Sequence, residues 1–436
     1  MKNLSAAKIG LLTASSIVVA NMIGTGVFTS LGFQVVDIPS VFALLMLWVC
    51  GGVIAFCGAV SYGELGTALP RSGGEYHLLS KVYHPAMGFL SGWISATIGF
   101  AAPTALAAVA LGKYLVVVYP GLPVDHIAAG VVVLFAIIHM VSVGVGSFFQ
   151  VFFTIIKIGV VLFFIVAGLL TEHPQNISVM PDAQAWSYMA TAGFAVSLVY
   201  VSYAFTGWNA AIYVVGELKN PSRNLPLALL VSTVLVTVLY TLINYVFLLT
   251  VPMQELVGKI EVGFLAGTKL FQLQTANLLS IMIAVLMLST VSAMVFVGAR
   301  ITQVMGEDYP VFQFLAKKSK NDTPVNSIIF QTIITLLFIY TSTFEEVMIY
   351  AGFTLALLTS VTVAGVFVLR YKQPDLPRPY KTWGYPYTPA LFLLANTWIT
   401  IFVLIDKPKE SLIGLTLIVI GFIIFYLNQK MSSIRP

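Results

Sequence analysis

The sequence contains little charge and almost no cysteine. Charged residues make up 9% of its 436 residues and hydrophobic residues 58%, and the mean hydropathy is +0.95. Because soluble domains carry about 25% charged residues, this composition excludes a soluble globular protein and indicates an integral membrane protein. The two cysteines, Cys50 and Cys57, would lie ~10.5 Å apart along a helix axis, too far for a disulfide. We expect both to be small packing residues.

Twelve apolar segments approach the ~20 residues that a transmembrane helix needs, and we number them spans one to twelve. They lie near residues 9–36, 40–68, 86–118, 124–145, 148–171, 187–217, 224–251, 275–305, 326–341, 346–370, 388–405 and 411–428. The first is too long for the apolar core of a signal peptide, so we expect it to be retained. No stretch is left for a separate soluble domain, and the whole of 1–436 is predicted to be one transmembrane domain.

The basic residues are distributed unevenly between alternate loops. If both termini are cytoplasmic, sixteen of the 22 Lys and Arg residues lie on the cytoplasmic side and five on the other; the remaining one, Lys157, lies within span five. The positive-inside rule therefore predicts cytoplasmic termini in a cell membrane, plasma or inner. This asymmetry also explains the net charge of +5 without a nucleic-acid partner. We expect the basic loops after spans eight and ten to be solvated connections.

Two spans contain glycine beside polar residues at their centres, within Met22–Gly26 of span one and Tyr203–Asn209 of span six. Glycine destabilises a helix interior by ~1 kcal/mol relative to alanine, and unwound backbone in a membrane needs protein or a polar ligand to satisfy it. Interruptions at corresponding places in two halves are typical of inverted-repeat transporters with a substrate site at the midplane. The alternative is that small residues only let neighbouring helices pack closely.

The predicted fold is an all-α membrane protein with twelve transmembrane helices in a 5+5 inverted repeat (LeuT-like). The first repeat covers 9–171, the second covers 187–370, and two further helices lie in 388–428. Helices one and six are predicted to be discontinuous. A broken helix offers N–H groups to an anionic group of a substrate and carbonyls to a cationic one. The N–H donors would be Thr25 and Gly26, and the carbonyls those of Met22, Ile23, Tyr203 and Thr206.

The loop after span two carries a longer pattern, Tyr62-x-Glu64-Leu65 followed by Pro70-x-Ser72-Gly73-Gly74-x-Tyr76. It resembles the signature of the amino acid–polyamine–organocation (APC) superfamily of transporters. Together with the span-one glycines, the Gly-Trp-Asn of span six and Lys157, it makes the chain most similar to the L-type amino acid transporter family and its bacterial alanine–serine–cysteine exchanger relatives. Few His, Asp or Glu residues lie within the spans, which disfavours an enzyme. We expect no cofactor and no metal.

The resemblance implies roles for individual residues. Gly24, Thr25 and Gly26 would bind the substrate carboxylate, Tyr203 would be an aromatic gate, and Asn209 would line the site. Lys157 would reach the unwound part of span one, and Tyr240 would help to organise that region. The full predicted substrate site consists of Met22, Ile23, Gly24, Thr25, Gly26, Tyr203, Thr206, Gly207 and Asn209. Lys157, Tyr203 and Tyr240 are the predicted coupling and gating residues. Thr25→Val or Gly26→Leu is expected to abolish binding without unfolding the protein.

Lys157 is unusual because an ammonium group at the middle of a membrane costs at least ~2.5–3.5 kcal/mol. It would either replace sodium as a fixed positive charge or carry a proton after its pKa is lowered by burial. For His139 in span four, hydrogen bonding to its neighbours is favoured over a role as a proton relay.

The predicted function is sodium-independent exchange of neutral L-amino acids by alternating access. Thr206 occupies a position that is Gly in many similar proteins and would narrow the site toward small substrates such as alanine and serine. We see no acidic residue near either broken segment, which disfavours cationic substrates. The loop between spans three and four, 118–125, has no cysteine, so no disulfide-linked heavy chain is expected as a partner. The alternatives are a proton-coupled symporter and, more remotely, an amino acid sensor that transports nothing.

Overall fold

A computed structural model describes residues 9–141, 147–319 and 323–432. Nineteen α-helices occur in these ranges: α1 (Leu11–Met22), α2 (Gly26–Thr29), α3 (Leu31–Asp37), α4 (Val41–Ala68), α5 (Gly74–Val82), α6 (Pro85–Ile94), α7 (Ala101–Val116), α8 (Val124–Val141), α9 (Ser147–Leu169), α10 (Ala183–Tyr188), α11 (Ala192–Phe205), α12 (Pro221–Thr250), α13 (Met253–Leu256), α14 (Val262–Leu270), α15 (Leu273–Asp308), α16 (Val325–Thr341), α17 (Phe344–Lys372), α18 (Tyr387–Asp406) and α19 (Pro408–Ser432). A π-helix covers Ser95–Gly99, and 3₁₀-helices cover Ala210–Glu217 and Pro310–Ala316.

Within the described ranges, eleven helical segments are long and apolar enough to cross a membrane. Each predicted span contains helix, but span nine corresponds to α16, which has only 17 residues. The helical, multi-span character of the chain is therefore confirmed. The count of twelve spans, the inverted repeat and the proposed repeat boundaries stay predictions.

Spans one and six lie side by side along their whole length. The contacts pair early residues of span one with late residues of span six: Ile9 with Leu218, Asn21 with Gly207, Gly26 with Ala204 and Asp37 with Gly193. The two spans therefore run antiparallel, and their interruptions meet near the middle. This is the arrangement that inverted halves would give to two equivalent helices.

The two ends of the helix bundle differ in what covers them. One end, which we call the α5 end, carries α5, the 3₁₀-helix Pro310–Ala316 and the loop 373–386. The opposite α14 end carries α13 and α14. There the Tyr114 hydroxyl donates to the Phe28 carbonyl (2.9 Å) and accepts from the Gly263 N–H (3.0 Å). Tyr114 thus joins span three, span one and α14 in one buried contact.

The loop after span ten is not a simple solvated connection, and our expectation for it was wrong. Arg370 binds the buried carboxylate of Glu64 through two hydrogen bonds of 2.8 and 2.7 Å, and the Arg378 Nε lies 3.4 Å from the same carboxylate. The Thr382 N–H donates to it as well, at 2.7 Å. A carboxylate that is 1% exposed needs such partners. This network ties span two to span ten and to the loop before span eleven.

Candidate functional site

A cavity of about 540 Å³ lies at the meeting point of the two interruptions. Eight of the predicted site residues line it: Met22, Gly24, Thr25, Gly26, Tyr203, Thr206, Gly207 and Asn209. Ile23, Lys157 and Tyr240 are not among its lining residues. The lining also continues past Glu75, Tyr76, Arg300 and Met305 toward the α5 end. We call this space the central cavity.

The unwound part of span one supplies free backbone donors to the central cavity. Helix α1 ends at Met22, and the Ile23 N–H still donates to the Val19 carbonyl at 2.9 Å. Helix α2 begins at Gly26, and the first N–H groups of a helix have no partner within that helix. In the described part of the chain, the N–H groups of Thr25 and Gly26 make no hydrogen bond to a backbone carbonyl.

Gly24 and Gly26 differ in how much room each has for a side chain. A Cβ on Gly26 would lie 2.6 Å from the Cα of Ala204, whereas the nearest atom to a Cβ on Gly24 is the Met22 carbonyl oxygen at 3.9 Å. Gly26 therefore serves the close approach of spans one and six, which is the packing alternative considered from the sequence. The expectation that Gly26→Leu leaves the protein folded was wrong, because leucine has no room there. Gly24 has open space beside it.

The unwound part of span six depends on Gly207. Helix α11 ends at Phe205, and Thr206 has an extended ψ of 135°. Gly207 follows with φ +104°, a backbone conformation that glycine adopts readily. A Cβ there would also lie 2.8 Å from the backbone of Asn21. The 3₁₀-helix starts at Ala210, so four residues separate the two halves of the span.

The four carbonyls predicted to face the substrate ammonium are not equivalent. The Met22 carbonyl accepts from the Tyr240 hydroxyl (2.6 Å), and the Tyr203 carbonyl accepts from the Thr206 N–H (3.0 Å). Each keeps a second lone pair. The carbonyls of Ile23 and Thr206 accept no hydrogen bond from the residues that the structure describes. These two are therefore the freer acceptors.

Tyr240 joins the two interruptions from behind the cavity wall. Its buried hydroxyl lies 2.6 Å from the Met22 carbonyl of span one and 3.2 Å from the Ala204 carbonyl of span six. Both carbonyls belong to the last turn of a half-helix, where acceptors lack a partner within the helix. Tyr240 therefore contacts backbone at both breaks, with its single hydroxyl hydrogen nearer to the Met22 carbonyl. Its organising role stays a prediction.

Lys157 is 7% exposed and its ammonium donates to the Thr290 hydroxyl of span eight at 2.8 Å. No carboxylate within the described ranges forms a salt bridge with it. Its hydrogen bond leads to span eight rather than directly to span one, and Thr290 in turn lines the central cavity. Thr290 was not among the predicted site residues. The signal that could have indicated it is a group of polar residues, Ser289, Thr290 and Ser292, in an otherwise apolar segment.

His139 has the local role that the sequence analysis favoured. Its Nε2 lies 3.1 Å from the carbonyl and 3.0 Å from the hydroxyl of Ser292. The ring does not line the central cavity.

The expectation that no acid lies near either broken segment was wrong. Glu75 is 5% exposed and lines the central cavity. Its Oε1 accepts a hydrogen bond from the Asn209 side-chain amide at 3.0 Å and from the Tyr62 hydroxyl at 2.5 Å. Burial raises the pKa of the Glu75 carboxyl above its ordinary value. Glu75 lies inside the signature pattern, but no feature of the sequence indicated that it would meet span six.

Comparison with known proteins identifies the family. Residues 9–427 match the family model described as amino acid permease. The chain belongs to the amino acid permease family. Its relatives include b(0,+)-type amino acid transporter 1 of Mus musculus, 26% identical over 427 residues, or 96% of this chain and 87% of the relative. The large neutral amino acids transporter small subunit 2 of Mus musculus is 30% identical over 433 residues, or 97% of this chain and 81% of the relative.

This permease is thus a multi-pass membrane protein of amino acid transport, and its assignment to the APC superfamily is confirmed. The relatives are transporters rather than enzymes. One of them is named as a small subunit.

Proposed function

We propose that this permease exchanges small neutral L-amino acids across the membrane without sodium, by alternating access around spans one and six. The observation that carries the proposal is the pair of free N–H groups, Thr25 and Gly26, at the start of α2 beside an open cavity. The first N–H groups of a helix have no partner within it and can donate to an anion. The substrate carboxylate would bind there.

The ammonium group of the substrate would be held by carbonyls at the ends of α1 and α11. The carbonyls of Ile23 and Thr206 are the free acceptors. The C-terminal ends of α1 and α11 carry the negative ends of their helix dipoles, and both therefore favour a positive charge. This recognition uses only the part common to all amino acids. Selection among side chains would then come from Tyr203, Thr206 and Asn209, of which Thr206 reduces the room for a large side chain.

The shape of the cavity supports alternating access. Its lining reaches the α5 end, while the α14 end is closed by the Tyr114 contacts with Phe28 and Gly263. The distribution of basic residues predicts that the α5 end is cytoplasmic. We infer that the structure represents an inward-facing state, and that transport requires the Tyr114 contacts to open.

Lys157 supports the proposal that exchange does not depend on sodium. When protonated, its ammonium group places a positive charge only one hydroxyl away from the cavity, through Thr290. A fixed cation at this place would make a bound metal cation unnecessary. Proton symport through Lys157 is the alternative, since an amine without a counter-charge is poised to lose its proton when desolvated.

Glu75 reopens the question of cationic substrates. A carboxyl group beside Asn209 removes the reason for which the sequence analysis disfavoured them, although its Oε1 already accepts two hydrogen bonds. The experiment below therefore includes arginine as a competitor.

Both cysteines lie on α4, and Cys57 is buried, so we propose that the permease acts without a disulfide-linked heavy chain.

The test uses purified permease in proteoliposomes. We expect uptake of labelled L-alanine and L-serine to require amino acid inside the vesicle, to be the same in sodium and potassium buffers, and to resist competition by L-arginine. The variant Gly24→Ala places a methyl group beside the free N–H groups, and we expect it to weaken binding by about tenfold through the loss of close backbone approach.

Gly130→Ala provides the matched control, because a Cβ on Gly130 in α8 meets no atom within 4 Å and the residue lies outside the cavity lining. Uptake into empty vesicles driven by a pH gradient would favour symport over exchange. Equal affinity in Gly24→Ala and in the wild type would remove the carboxylate site from span one.

A further inference from the structure

Glu75 controls the orientation of the Asn209 side chain. An ionised carboxylate has no hydrogen to donate and can only accept. Its Oε1 lies 3.0 Å from the Asn209 side-chain nitrogen, so the amide must present its NH₂ group to Glu75. The opposite orientation would place two acceptors against each other in a buried setting. The chemistry of the pair therefore fixes the direction of the amide.

The orientation leaves the amide oxygen of Asn209 available. Asn209 is half-buried and lines the central cavity, and its Oδ1 accepts no hydrogen bond from the part of the chain that the structure describes. The wall of the cavity therefore carries a hydrogen-bond acceptor next to the unwound part of span six. An acceptor at this place favours a substrate group that can donate.

The segment that carries Glu75 is fixed against span six by two further contacts. The Gly216 N–H donates to the Ser72 hydroxyl at 3.1 Å. A Cβ on Gly74 would lie 2.2 Å from the ring of Tyr213, so only glycine allows α5 to begin so close to the 3₁₀-helix. The Ser-Gly-Gly-Glu part of the signature pattern therefore has a physical purpose: it brings a carboxylate to Asn209.

We propose that Glu75 is a positioning residue that sets the side-chain preference of the permease through Asn209. By holding the NH₂ group, it turns the amide oxygen toward the substrate side chain. L-Serine, whose hydroxyl can donate to that oxygen, is then preferred over L-2-aminobutyrate, which has the same shape with a methyl group in place of the hydroxyl. This inference rests on the proposed function, since it assumes that the cavity binds an amino acid.

The experiment measures how well L-serine and L-2-aminobutyrate each compete with labelled L-alanine exchange in proteoliposomes. The readout is the ratio of their inhibition constants, which a general loss of activity does not move. In Glu75→Leu the amide is no longer held, and we expect the serine preference to fall by about fivefold, the effect of one hydrogen bond. In Glu75→Gln the new amide can present either its oxygen or its nitrogen to Asn209, and we expect a smaller fall of about threefold.

Tyr62→Phe is the matched control, because it removes the other hydrogen bond to Oε1 and leaves that to Asn209. Its serine preference should equal that of the wild type. If Glu75→Leu does not fold, the nearly isosteric Glu75→Gln decides alone. An unchanged ratio in Glu75→Gln and Glu75→Leu, or an equal fall in Tyr62→Phe, would overturn the inference while the proposed function stands. A wild-type permease that exchanges no amino acid would instead overturn the proposed function, and this inference with it.

Discussion

Glu64 and Glu75 are two buried carboxyls of the same signature pattern, and their surroundings are opposite. Glu64 faces Arg370 and Arg378, at 2.7 and 3.4 Å. Glu75 has two neutral hydrogen-bond partners, Tyr62 and Asn209. A buried carboxylate with cationic partners is suited to hold parts of the fold together. Glu75, whose hydrogen-bond partners are neutral, lies beside the central cavity, where ligand binding and proton binding can act on it.

The largest contrast is expected in stability. Glu64→Gln would leave the nearly buried Arg378 and the quarter-exposed Arg370 without their counter-charge, and we expect a loss of roughly 3 kcal/mol, since breaking a buried ion pair is costly. Glu75→Gln strands no cation, so its loss should be much smaller. Thermal unfolding of the two purified variants in detergent, without substrate, measures both. Equal melting temperatures for the two would contradict the contrast.

Lys157 extends the comparison to a buried cation. Like Glu75 it has a neutral partner, Thr290, that borders the cavity. We expect Lys157→Met to slow exchange by about tenfold or more, because ionisable residues within membrane spans are usually functional. Its melting temperature should not fall, because the substitution removes a desolvated charge. Exchange flux and thermal unfolding are measured on the same preparation.

Thr290→Val is the companion variant. It keeps the ammonium group but removes the hydroxyl that separates it from the cavity, so a partial loss of flux is expected. If Lys157→Met exchanges at the wild-type rate, the lysine is a packing residue, and the parallel with Glu75 fails.

The sequence predicted the features that single residues determine locally. Gly207 interrupts its helix through a φ of +104° that favours glycine, and both interruptions occur where they were predicted. The sequence did not separate Gly24 from Gly26, because the difference lies in the distance to Ala204, on another span. Glu75 and Thr290 were missed for the same reason: their roles depend on partners more than 130 residues away in the chain.

The surroundings of Glu75 determine how it responds to pH. The ionisable groups nearest to it are Tyr62 of α4 and Tyr213 of the adjoining 3₁₀-helix. Helix α6, which packs against α5, has no ionisable residue. On α17, Lys372 contacts the far end of α5, 3.5 Å from the Val82 carbonyl. Burial raises the pKa of Glu75 above its ordinary value, hydrogen bonds from Tyr62 and Asn209 oppose that effect in part, and no cation among the described residues contributes.

The smallest expected effect is a pH dependence of substrate preference. Because the pKa of Glu75 is raised, the carboxyl takes up a proton at a higher pH than the ~4.3 of an ordinary glutamate. The protonated group can donate, so Asn209 is no longer fixed in one orientation. The preference for L-serine over L-2-aminobutyrate should therefore be present above the pKa of Glu75 and fall by about threefold as the pH drops through it. In Glu75→Gln the ratio should be low and independent of pH, whereas Tyr62→Phe should keep a pH-dependent ratio. A wild-type ratio that stays constant on acidification would show that the charge of Glu75 does not orient Asn209.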